Sequence, residues 1–465
     1  MVKNETVDLP ITSSITKEFL EKLLKRKIVD FKVNEGSNPG DNFLAILISL
    51  EIHLVDQTEP LYLLYKTFPQ HPIRQKLLED TNLFLKEFLV YDAWFPEIVQ
   101  FQNDIIGLDL VMKPAVPPMV SGGAIDYENE EINYEVDPIL KNFILMVDVR
   151  KTWGFKMADK LRSLSVSHVK IVLEELAKFH SLCYAYRIHK DLPNLRSVFT
   201  FLNDTFFLNP NQKATFDAVR IGNLELVRET LDDFLSKRPE IEDSLRRFET
   251  PDTVSDMFHV FLNPEGTDEE KMEDFLRQKP KQFLKPPLKD QWVVGGHGDC
   301  WTNNMLFKTD NDTGKVTDCI LVDFQLARES CIMTDLVYFF YTSTDTAFRE
   351  KHLDEMIRWY FEKFSENCKI LKVEPFNGFT LENFQRKFHR SKIFGFLFAL
   401  LVLPIILQKP ENALDMDKVK LSSGDTDEEN IAGMFTNTPR DKDDRTLLRD
   451  RFTGLLTELY DEGVL

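Results

Sequence analysis

The apolar residues of this chain follow two different periodicities, and the change between them near residue 150 constrains its fold most strongly. In the first third, apolar side chains recur at every second position, which is the period of a β-strand with one buried face. This pattern involves Leu44, Ile46, Ile48, Leu50, Ile52 and Leu54. Beyond Lys151 the apolar spacing becomes helical, as at Val169 and Leu173. The sequence therefore predicts an α+β fold with two lobes, a sheet-rich N-terminal lobe over residues 1–150 and a larger, mainly helical C-terminal lobe over residues 151–465.

Turn, cap and proline signals divide the N-terminal lobe into elements. They predict a helix over residues 16–27, capped at its first residue, and three strands of an antiparallel arrangement between residues 29 and 66. A second helical stretch over residues 72–96 is expected to end near its last proline. The apolar runs 108–112 and 143–149 resemble further strands.

Three other segments give weaker or different signals. Residues 114–138 are rich in Pro, Gly and acidic residues and are expected to form an irregular surface excursion. Residues 415–445 are polar and acidic, which predicts a mobile surface loop before a last helix that starts near Thr446. The apolar run Ile393 to Leu407 is shorter than a membrane span and is interrupted by Pro404, so a buried core helix is the expected structure.

Charge and cysteine content exclude several classes of function. The net charge of -19 disfavours attraction to nucleic acid or to an anionic membrane, because both need clustered Lys and Arg. The five cysteines are scattered and odd in number, which predicts reduced thiols rather than disulfides or a zinc site. With a polar N-terminal segment that lacks an apolar signal core, these features predict a cytoplasmic protein.

The segment from His297 to Asn304 carries the strongest chemical motif. Its sequence, HGDCWTNN, has the spacing His-x-Asp-x-x-x-x-Asn that is typical of a kinase catalytic loop. A tight loop after a strand aims the carboxylate of Asp299 at an acceptor hydroxyl, while the amide of Asn304 turns back to supply an oxygen to magnesium. The spacing predicts phosphoryl transfer.

Three further residues match the same chemistry in the same order along the chain. Asp323 ends an apolar strand about twenty residues after the loop, as the second magnesium ligand of a kinase does. Upstream, Lys66 ends the third predicted strand and Glu87 lies in the following helix. Such a strand lysine and helix glutamate position the α- and β-phosphates of ATP.

A glycine-containing turn precedes the lysine. The sequence GSNPGDNF can form the turn of the first hairpin, and its glycines let backbone N–H groups approach phosphate. The candidate nucleotide-binding residues in this turn are Gly36, Gly40, Asp41 and Asn42.

These motifs together resemble the ecdysteroid kinase-like family of insects, also called EcKinase or CHK kinase-like, whose relatives are choline and aminoglycoside kinases. The likeness covers almost the whole chain. It rests on GSNPGDNF, YKTFP around Lys66, F-x-x-E-x-x-x-Y from Phe84 to Tyr91, LAKFH from Leu176 to His180, HGDCWTNNMLF and VDFQLA. The combination of motifs is specific, although no single piece is.

The resemblance implies a protein kinase-like fold, ATP with Mg²⁺, and phosphorylation of a hydroxyl on an ecdysteroid or another small lipophilic alcohol. Carried onto this sequence, Asp299 is the catalytic base, Asn304 and Asp323 are metal ligands, and Lys66 with Glu87 anchors the phosphates.

The resemblance also assigns supporting residues. Asp335 matches an aspartate that braces the catalytic loop, and His297 orients that loop. The hinge segment 145–149 is a looser match, and its main chain around Met146 and Asp148 is expected to hydrogen-bond adenine.

Two other functions stay open at this point. A choline- or aminoglycoside-like kinase acts on a cationic alcohol and needs carboxylates and aromatic faces in its acceptor site, whereas a steroid needs an apolar slot. A pseudokinase binds a lipophilic ligand on the same fold without turnover. The sequence chooses neither the acceptor nor the oligomeric state.

Several conspicuous residues receive a structural interpretation. His180 continues the apolar stripe of its helix and is expected to be structural. The segment from Asp310 to Lys315 lacks the residues of a Walker loop and is predicted to be a hairpin turn. The 38 phenylalanines suggest an apolar acceptor pocket, with Trp301 and Tyr338 placed beside the reacting groups.

Overall fold

The computed structural model describes most of the chain. The described residues are 14–37, 44–107, 111–129, 138–250, 257–258, 261–262, 292–409, 412 and 441–465. In these ranges the strands are β1 (Ile28–Glu35), β2 (Ile46–Leu54), β3 (Leu61–Thr67), β4 (Met119–Gly123), β5 (Phe143–Val147), β6 (Lys156–Met157), β7 (Val293–Gly296), β8 (Met305–Thr309), β9 (Val316–Leu321) and β10 (Arg328–Cys331).

Helices dominate the second part of the chain. The α-helices among the described residues are α1 (Lys17–Leu24), α2 (Pro72–Thr81), α3 (Leu83–Leu89), α4 (Phe95–Gln100), α5 (Asn103–Ile106), α6 (Pro138–Lys141), α7 (Val149–Trp153), α8 (Val166–His189), α9 (Lys213–Thr230), α10 (Asp232–Leu235), α11 (Pro239–Leu245), α12 (Met333–Ser343), α13 (Thr346–Ile370), α14 (Leu381–Ile406) and α15 (Lys442–Asp461). A π-helical turn, Val90–Trp94, joins α3 to α4. Short 3₁₀ turns occur at Leu195–Ser197, Thr200–Leu202, Pro210–Gln212, Arg246–Glu249, Thr302–Asn304 and Phe324–Leu326.

The N-terminal lobe is built on an antiparallel sheet. In the described part of the chain this sheet has five strands in the order β1-β2-β3-β5-β4. The predicted period-two face is confirmed, because Ile48, Leu50 and Ile52 are fully buried and pack in one cluster with Leu20 of α1. The predicted cap is confirmed as well, since the hydroxyl of Thr16 accepts a hydrogen bond from the N–H of Phe19. The division into lobes at residue 150 stays a prediction.

Two N-terminal predictions were wrong in detail. The helical stretch does not end at Pro96, because this proline lies in the first turn of α4, which continues directly from the π-helical turn. Residues 114–138 are not wholly an irregular excursion, since they contain β4, an edge strand paired with β5. The apolar pattern of β4 is weak because its MVSGG sequence has two glycines.

The segment before β4 connects the sheet to the rest of the molecule. Leu108 to Leu110 of the predicted strand lie outside the described residues, and Val111 and Met112 form no strand. The chain then runs between the lobes, where the carbonyl of Ala115 accepts a hydrogen bond from the N–H of Leu321 on β9 (2.7 Å).

The C-terminal lobe encloses the main apolar core. Within it α12 packs along α14, and α8 packs along α13. Gly395 allows the first of these pairs to approach closely, because a Cβ at this position would lie 2.5 Å from the ring of Tyr341. The long α8 also contacts β7, so the core helices support the strand that leads into the HGDCWTNN loop.

Helix α14 is longer than the apolar run that predicted it. It starts at Leu381 and continues through Pro404 to Ile406, so this proline does not interrupt it. Among the described residues it is the helix whose length and composition would suit a membrane span, but 78% of its most apolar window is buried inside the protein. That burial agrees with the predicted core helix.

The last helix begins earlier than expected. Asp441 caps α15, accepting hydrogen bonds from the N–H groups of Asp443 and Asp444, and the helix starts at Lys442 rather than near Thr446. Residues 415–440 of the predicted mobile loop lie outside the described residues.

The predicted hairpin turn is confirmed, because residues 310–315 join β8 to β9.

Candidate active site

The HGDCWTNN loop leaves β7 through a sharp turn that only glycine fits. Gly298 has φ +82°, and a Cβ there would lie 1.9 Å from the carbonyl oxygen of Leu326. The carboxylate of Asp335, at the start of α12, accepts hydrogen bonds from the N–H of His297 (2.6 Å) and of Gly298 (2.9 Å). One buried carboxylate, that of Asp335, therefore holds the start of the loop in place.

Asp335 is itself fixed by the core. His180 on α8 bonds to its Oδ2 at 3.0 Å and to the hydroxyl of Tyr360 at 2.7 Å. Burial alone would raise the pKa of Asp335, but the hydrogen bond and charge of His180, with the hydrogen bond from the N–H of Gly298, hold that pKa well below its usual range. His180 thus has the structural position expected for it.

His297 couples the loop to the next strand. Its Nδ1 accepts from the N–H of Asp299 (3.2 Å), so its Nε2 carries the proton and donates to the carbonyl of Val322 (3.0 Å). The N–H of Val322 in turn donates to the carbonyl of Asn304 (3.0 Å). These contacts place Asp323, the residue after Val322, beside the loop.

The carboxylate of Asp299 accepts hydrogen bonds from the side chains of Asn304, Tyr338 and Trp301. Its Oδ2 accepts from the amide Nδ2 of Asn304 (2.8 Å), and its Oδ1 accepts from the hydroxyl of Tyr338 (2.6 Å). Burial, followed by the negative charge of Asp323, raises the pKa of Asp299 to about 6. The amide contact also orients Asn304, because an Nδ2 that donates here leaves the Oδ1 atom as the free ligand.

Lys66, Glu87 and Asp323 meet on one side of the loop. The Nζ of Lys66 lies 2.6 Å from Oε2 of Glu87 and 3.0 Å from Oδ1 of Asp323. The side chains of Lys66 and Glu87 are 6% and 1% exposed, so the pair is not an incidental surface contact. Asp323 adopts the left-handed backbone conformation with φ 66°, which turns its carboxylate out of the strand toward the lysine. The structure brings Asp323 to Lys66 and Glu87, which precede it by more than 230 positions in the sequence.

The charges of this group are unbalanced. Burial alone would lower the pKa of Lys66, but the carboxylates of Asp323 and Glu87 outweigh it and the pKa lies above its usual value. Burial raises the pKa of Glu87 and the charge of Asp323 adds to this rise, against the opposing charge of Lys66. One ammonium group thus faces two carboxylates, the buried one of Glu87 and the partly exposed one of Asp323.

Asn304 and Asp323 fit a hard cation. They offer one amide oxygen and one carboxylate oxygen, and the surplus negative charge around them favours a divalent ion. In the described part of the chain, no group of three or more His, Cys, Asp or Glu side chains is arranged to hold a metal. Magnesium, which keeps several water or phosphate ligands, suits such a sparse set better than calcium or zinc.

We call the cavity around these charged residues the polar cleft. Lys66, Glu87, Asn304 and Asp323 line it, and Gly36 and Met146 line it on the sheet side. Gly36 is required by packing, since a Cβ there would lie 2.6 Å from the carbonyl carbon of Leu47. Gly40, Asp41 and Asn42, the other predicted residues of the glycine turn, lie outside the described residues.

The hinge differs from the expected adenine contact. The N–H of Val147 donates to the carbonyl of Pro118 and the N–H of Asp148 donates to the carbonyl of Tyr62, both at 3.0 Å. The Asp148 side chain accepts from Arg150, whose Nη1 donates to the carbonyl of Gly36 (2.7 Å). Asp148 therefore ties the hinge to the glycine turn, and an adenine contact would need other main-chain groups of this segment.

We call a second cavity, which Asp299 helps to line, the apolar slot. It has a volume of about 170 Å³ and is formed by residues from several distant elements. Its apolar walls consist of Leu44, Leu77, Phe206, Phe207, Phe216, Val219, Trp301, Leu326, Phe398, Leu401, Val402, Ile405 and Ile406. Its polar residues are Thr215, Asp299, Gln325 and Tyr338. Asp299 is the one carboxylate among them.

Sequence reasoning missed most of the slot. The sequence places Trp301 and Tyr338 beside the reacting groups, and both side chains line the slot. The residues from α9 and α14 carry no distinguishing signal, because their spacing is that of ordinary core helices. Arg328 was also missed, although its Nη2 donates to the carbonyl of Gly298 (3.3 Å) and its guanidinium lies over the ring of Phe207.

A strand lysine paired with a helix glutamate, facing a loop aspartate and asparagine, defines the site of a kinase-like phosphotransferase. The sequence model of the ecdysteroid kinase-like family matches residues 39–373. The chain belongs to this ecdysteroid kinase-like family, which points to a small-molecule kinase. With the sheet-bearing and helical lobes described above, the predicted α+β, protein kinase-like fold is confirmed.

Solved structures with similar architecture are distant in sequence. A choline kinase from Cryptosporidium parvum Iowa II aligns over 98% of this chain and 95% of its own, with 10% identity and a TM-score of 0.42. A Plasmodium vivax ethanolamine kinase aligns over 93% and 83%, with 9% identity and a TM-score of 0.37. The GDP complex of an aminoglycoside 2′-phosphotransferase aligns over 83% and 96%, with 13% identity and a TM-score of 0.33. No curated protein sequence matches the chain.

Proposed function

We propose that this chain is a cytoplasmic, ATP- and Mg²⁺-dependent kinase that phosphorylates a hydroxyl of an ecdysteroid or another small lipophilic alcohol. The proposal rests mainly on the position of Asp299, which lines the apolar slot and is hydrogen-bonded to Asn304 of the polar cleft. The apolar slot contains its carboxylate, and the polar cleft contains Lys66, Asn304 and Asp323.

The residues of the polar cleft hold the phosphate donor. Lys66, kept in place by Glu87, offers its ammonium group to the phosphates, and Gly36 lines the same cleft. Asn304 and Asp323 would bind Mg²⁺, which when present neutralises negative charge on the phosphates. Catalysis of this kind rests on positioning and electrostatics.

Asp299 acts on the acceptor. Its carboxylate orients the alcohol in the slot and accepts the hydroxyl proton as the oxygen attacks the γ-phosphorus. The new O–P bond forms while the bond between the γ-phosphorus and the bridging oxygen breaks, and ADP leaves with that oxygen. Tyr338 and Asn304, which both donate to Asp299, keep one carboxylate conformation ready for this step.

The composition of the slot supports a lipophilic acceptor over a cationic one. A cationic alcohol needs negative charge beyond the group that reacts, but Asp299 is the one carboxylate among the slot residues that the structure describes. The walls are instead phenylalanine, leucine, valine and isoleucine side chains, which lower the free energy of an apolar skeleton by about 25 cal/mol per Å² of buried surface.

The test is a coupled ATP-consumption assay with a panel of steroids, phenols and amino alcohols, comparing the wild type with Asp299→Asn. We expect acceptor-dependent ATP use with a steroid or phenol, and a loss of roughly a hundredfold or more in kcat in the variant. Transfer restricted to amino alcohols such as choline would favour the cationic-alcohol kinase. Tight ATP binding with no transfer to any acceptor would favour the pseudokinase.

A further inference from the structure

We propose that Thr215 is a specificity-determining residue, whose hydroxyl hydrogen-bonds a second oxygen of the acceptor, separate from the hydroxyl that is phosphorylated. This inference rests on the proposed function, because it assigns the acceptor to the apolar slot. It deepens that function by requiring two oxygen substituents on one apolar skeleton.

The hydroxyl of Thr215 is buried and unused. Thr215 lies in the first turn of α9, is 5% exposed and lines the apolar slot. Its Oγ1 atom has no hydrogen-bond partner among the described residues. Leaving a buried hydroxyl unpaired costs about 1–3 kcal/mol, so a polar group of this kind in a cavity wall calls for a ligand.

Thr342 and Thr457 are helical threonines whose hydroxyls are satisfied within their own helices. Thr342 on α12 donates to the carbonyl of Tyr338 at 2.7 Å, and Thr457 on α15 donates to the carbonyl of Thr453 at 2.8 Å, each one turn back along its helix. Thr215 makes no such bond, although it also lies in a helix. Its hydroxyl remains free for a molecule that fills the slot.

The other polar groups of the slot leave this role to Thr215. Asp299 and Tyr338 bond to each other at the reacting end, and the proposed mechanism uses Asp299 for the acceptor hydroxyl. Gln325 also lines the slot, but no atom of its side chain is both buried and unpartnered, as the Oγ1 of Thr215 is. A threonine hydroxyl both donates and accepts, so the second oxygen of the acceptor can belong to a hydroxyl or to a carbonyl.

The experiment is calorimetric binding of three steroids to the wild type, to Thr215→Val and to Thr230→Val. The steroids are 5α-androstane-3β,17β-diol and the two mono-alcohols that lack one or the other oxygen. Valine keeps the shape of threonine without its hydroxyl. Thr230 is a matched control, because it lies on the same helix and also has an unpartnered hydroxyl, yet it is not among the slot residues.

We expect the wild type and Thr230→Val to bind the diol roughly tenfold more tightly than either mono-alcohol, since one good hydrogen bond to a buried hydroxyl corresponds to about 1.4 kcal/mol. Thr215→Val should bind the diol and the better mono-alcohol with equal affinity. A diol preference that survives in Thr215→Val would overturn the inference, and so would failure of the wild type to bind any of the three steroids.

Binding and turnover separate this inference from the proposed function. Binding with the predicted preference but without phosphate transfer in the ATP-consumption assay would support Thr215 and overturn the kinase. Transfer to steroids with no difference between the diol and the mono-alcohols would support the kinase and overturn the role of Thr215.

Discussion

Residues of the HGDCWTNN loop line both the polar cleft and the apolar slot, but the two cavities differ in the charge of their other side chains. The cleft contains a buried ammonium group, two carboxylates and an amide within a few ångströms of one another. The slot contains a single carboxylate among mainly apolar side chains, many of them from α9 and α14.

This difference reflects what each cavity has to recognise. Charged groups interact strongly only at defined distances, so the cleft needs particular residues at particular places, as the 2.6 Å contact between Lys66 and Glu87 illustrates. Apolar contacts are non-directional, and their free energy depends on the area that is buried. The slot therefore needs a suitable shape, which many combinations of apolar side chains can form. The cleft is therefore built to fix the donor, and the slot to choose the acceptor.

Lys66→Met tests whether the two cavities act independently, and it has the largest expected effect of the variants below. Removing the ammonium leaves the buried carboxylate of Glu87 and the partly exposed carboxylate of Asp323 without their cation, which costs about 3–5 kcal/mol. The kcat/KM for ATP should fall by at least about 100-fold, whereas acceptor binding in the slot should not change. Steady-state kinetics and calorimetry measure the two effects.

The matched control is Lys170→Met, which removes a partly exposed lysine that pairs with Glu355 outside both cavities. It should leave both measurements unchanged. An equal loss of acceptor affinity in Lys66→Met would show that the cavities are not independent.

Asp335→Asn tests the support that both cavities share. The amide cannot accept from two N–H groups and from His180 as the carboxylate does, so the free energy of unfolding at neutral pH should fall by about 2–4 kcal/mol. The folded-state pKa of Asp335 is lowered, so its stabilising contribution is complete above the unfolded-state pKa and is lost as the pH falls through the folded value. The difference from the wild type should therefore shrink as the pH drops below about 4.

Urea denaturation across this pH range measures the effect, and His180 and His297 are the titratable groups that face the carboxylate. Asp318→Asn, at an exposed position of β9, is the control and should show no such loss at neutral pH. A difference between Asp335→Asn and the wild type that stays constant down to low pH would contradict the assignment.

Leu401→Ala tests the slot alone. Leu401 is 6% exposed and lines the slot, and truncating it removes apolar contact worth about 1.5–3 kcal/mol. The KM for the acceptor should rise about tenfold while the KM for ATP stays the same. The control is Leu353→Ala on α13, whose 8% exposure is similar and which lines neither cavity. A rise in the KM for ATP would mean that the truncation disturbs the catalytic loop.

Arg150→Ala has the smallest expected effect and tests the edge of the polar cleft. Its guanidinium joins Asp148 to the carbonyl of Gly36, but the side chain is 31% exposed, so the contact contributes only about 1 kcal/mol. The KM for ATP should rise about two- to fivefold, and acceptor binding should not change. Arg162→Ala, which removes an 85% exposed arginine paired with Asp159, serves as the control. Unchanged ATP kinetics in Arg150→Ala would mean that ATP binding does not depend on the hydrogen bond between Arg150 and the carbonyl of Gly36.

The sequence by itself determined the sheet-rich first part, the helical second part and the charged residues of the polar cleft. These features are readable because strand alternation and helix spacing are local, and because phosphate and magnesium chemistry confines Asp299, Asn304 and Asp323 to short motifs. Gly40, Asp41 and Asn42 of the predicted cleft lie outside the described residues, and the roles of all the predicted site residues stay predictions.

The tertiary structure alone decided the edge strand β4, the helix that continues through Pro404 and the membership of the apolar slot. Strand β4 exists because β5 offers it a pairing edge, which overrides a weak local pattern of glycines. The slot joins residues of α9 and α14 that are far apart in the chain. Burial decides which apolar side chains face a cavity and which face the core, and the spacing of residues along the chain does not record that choice.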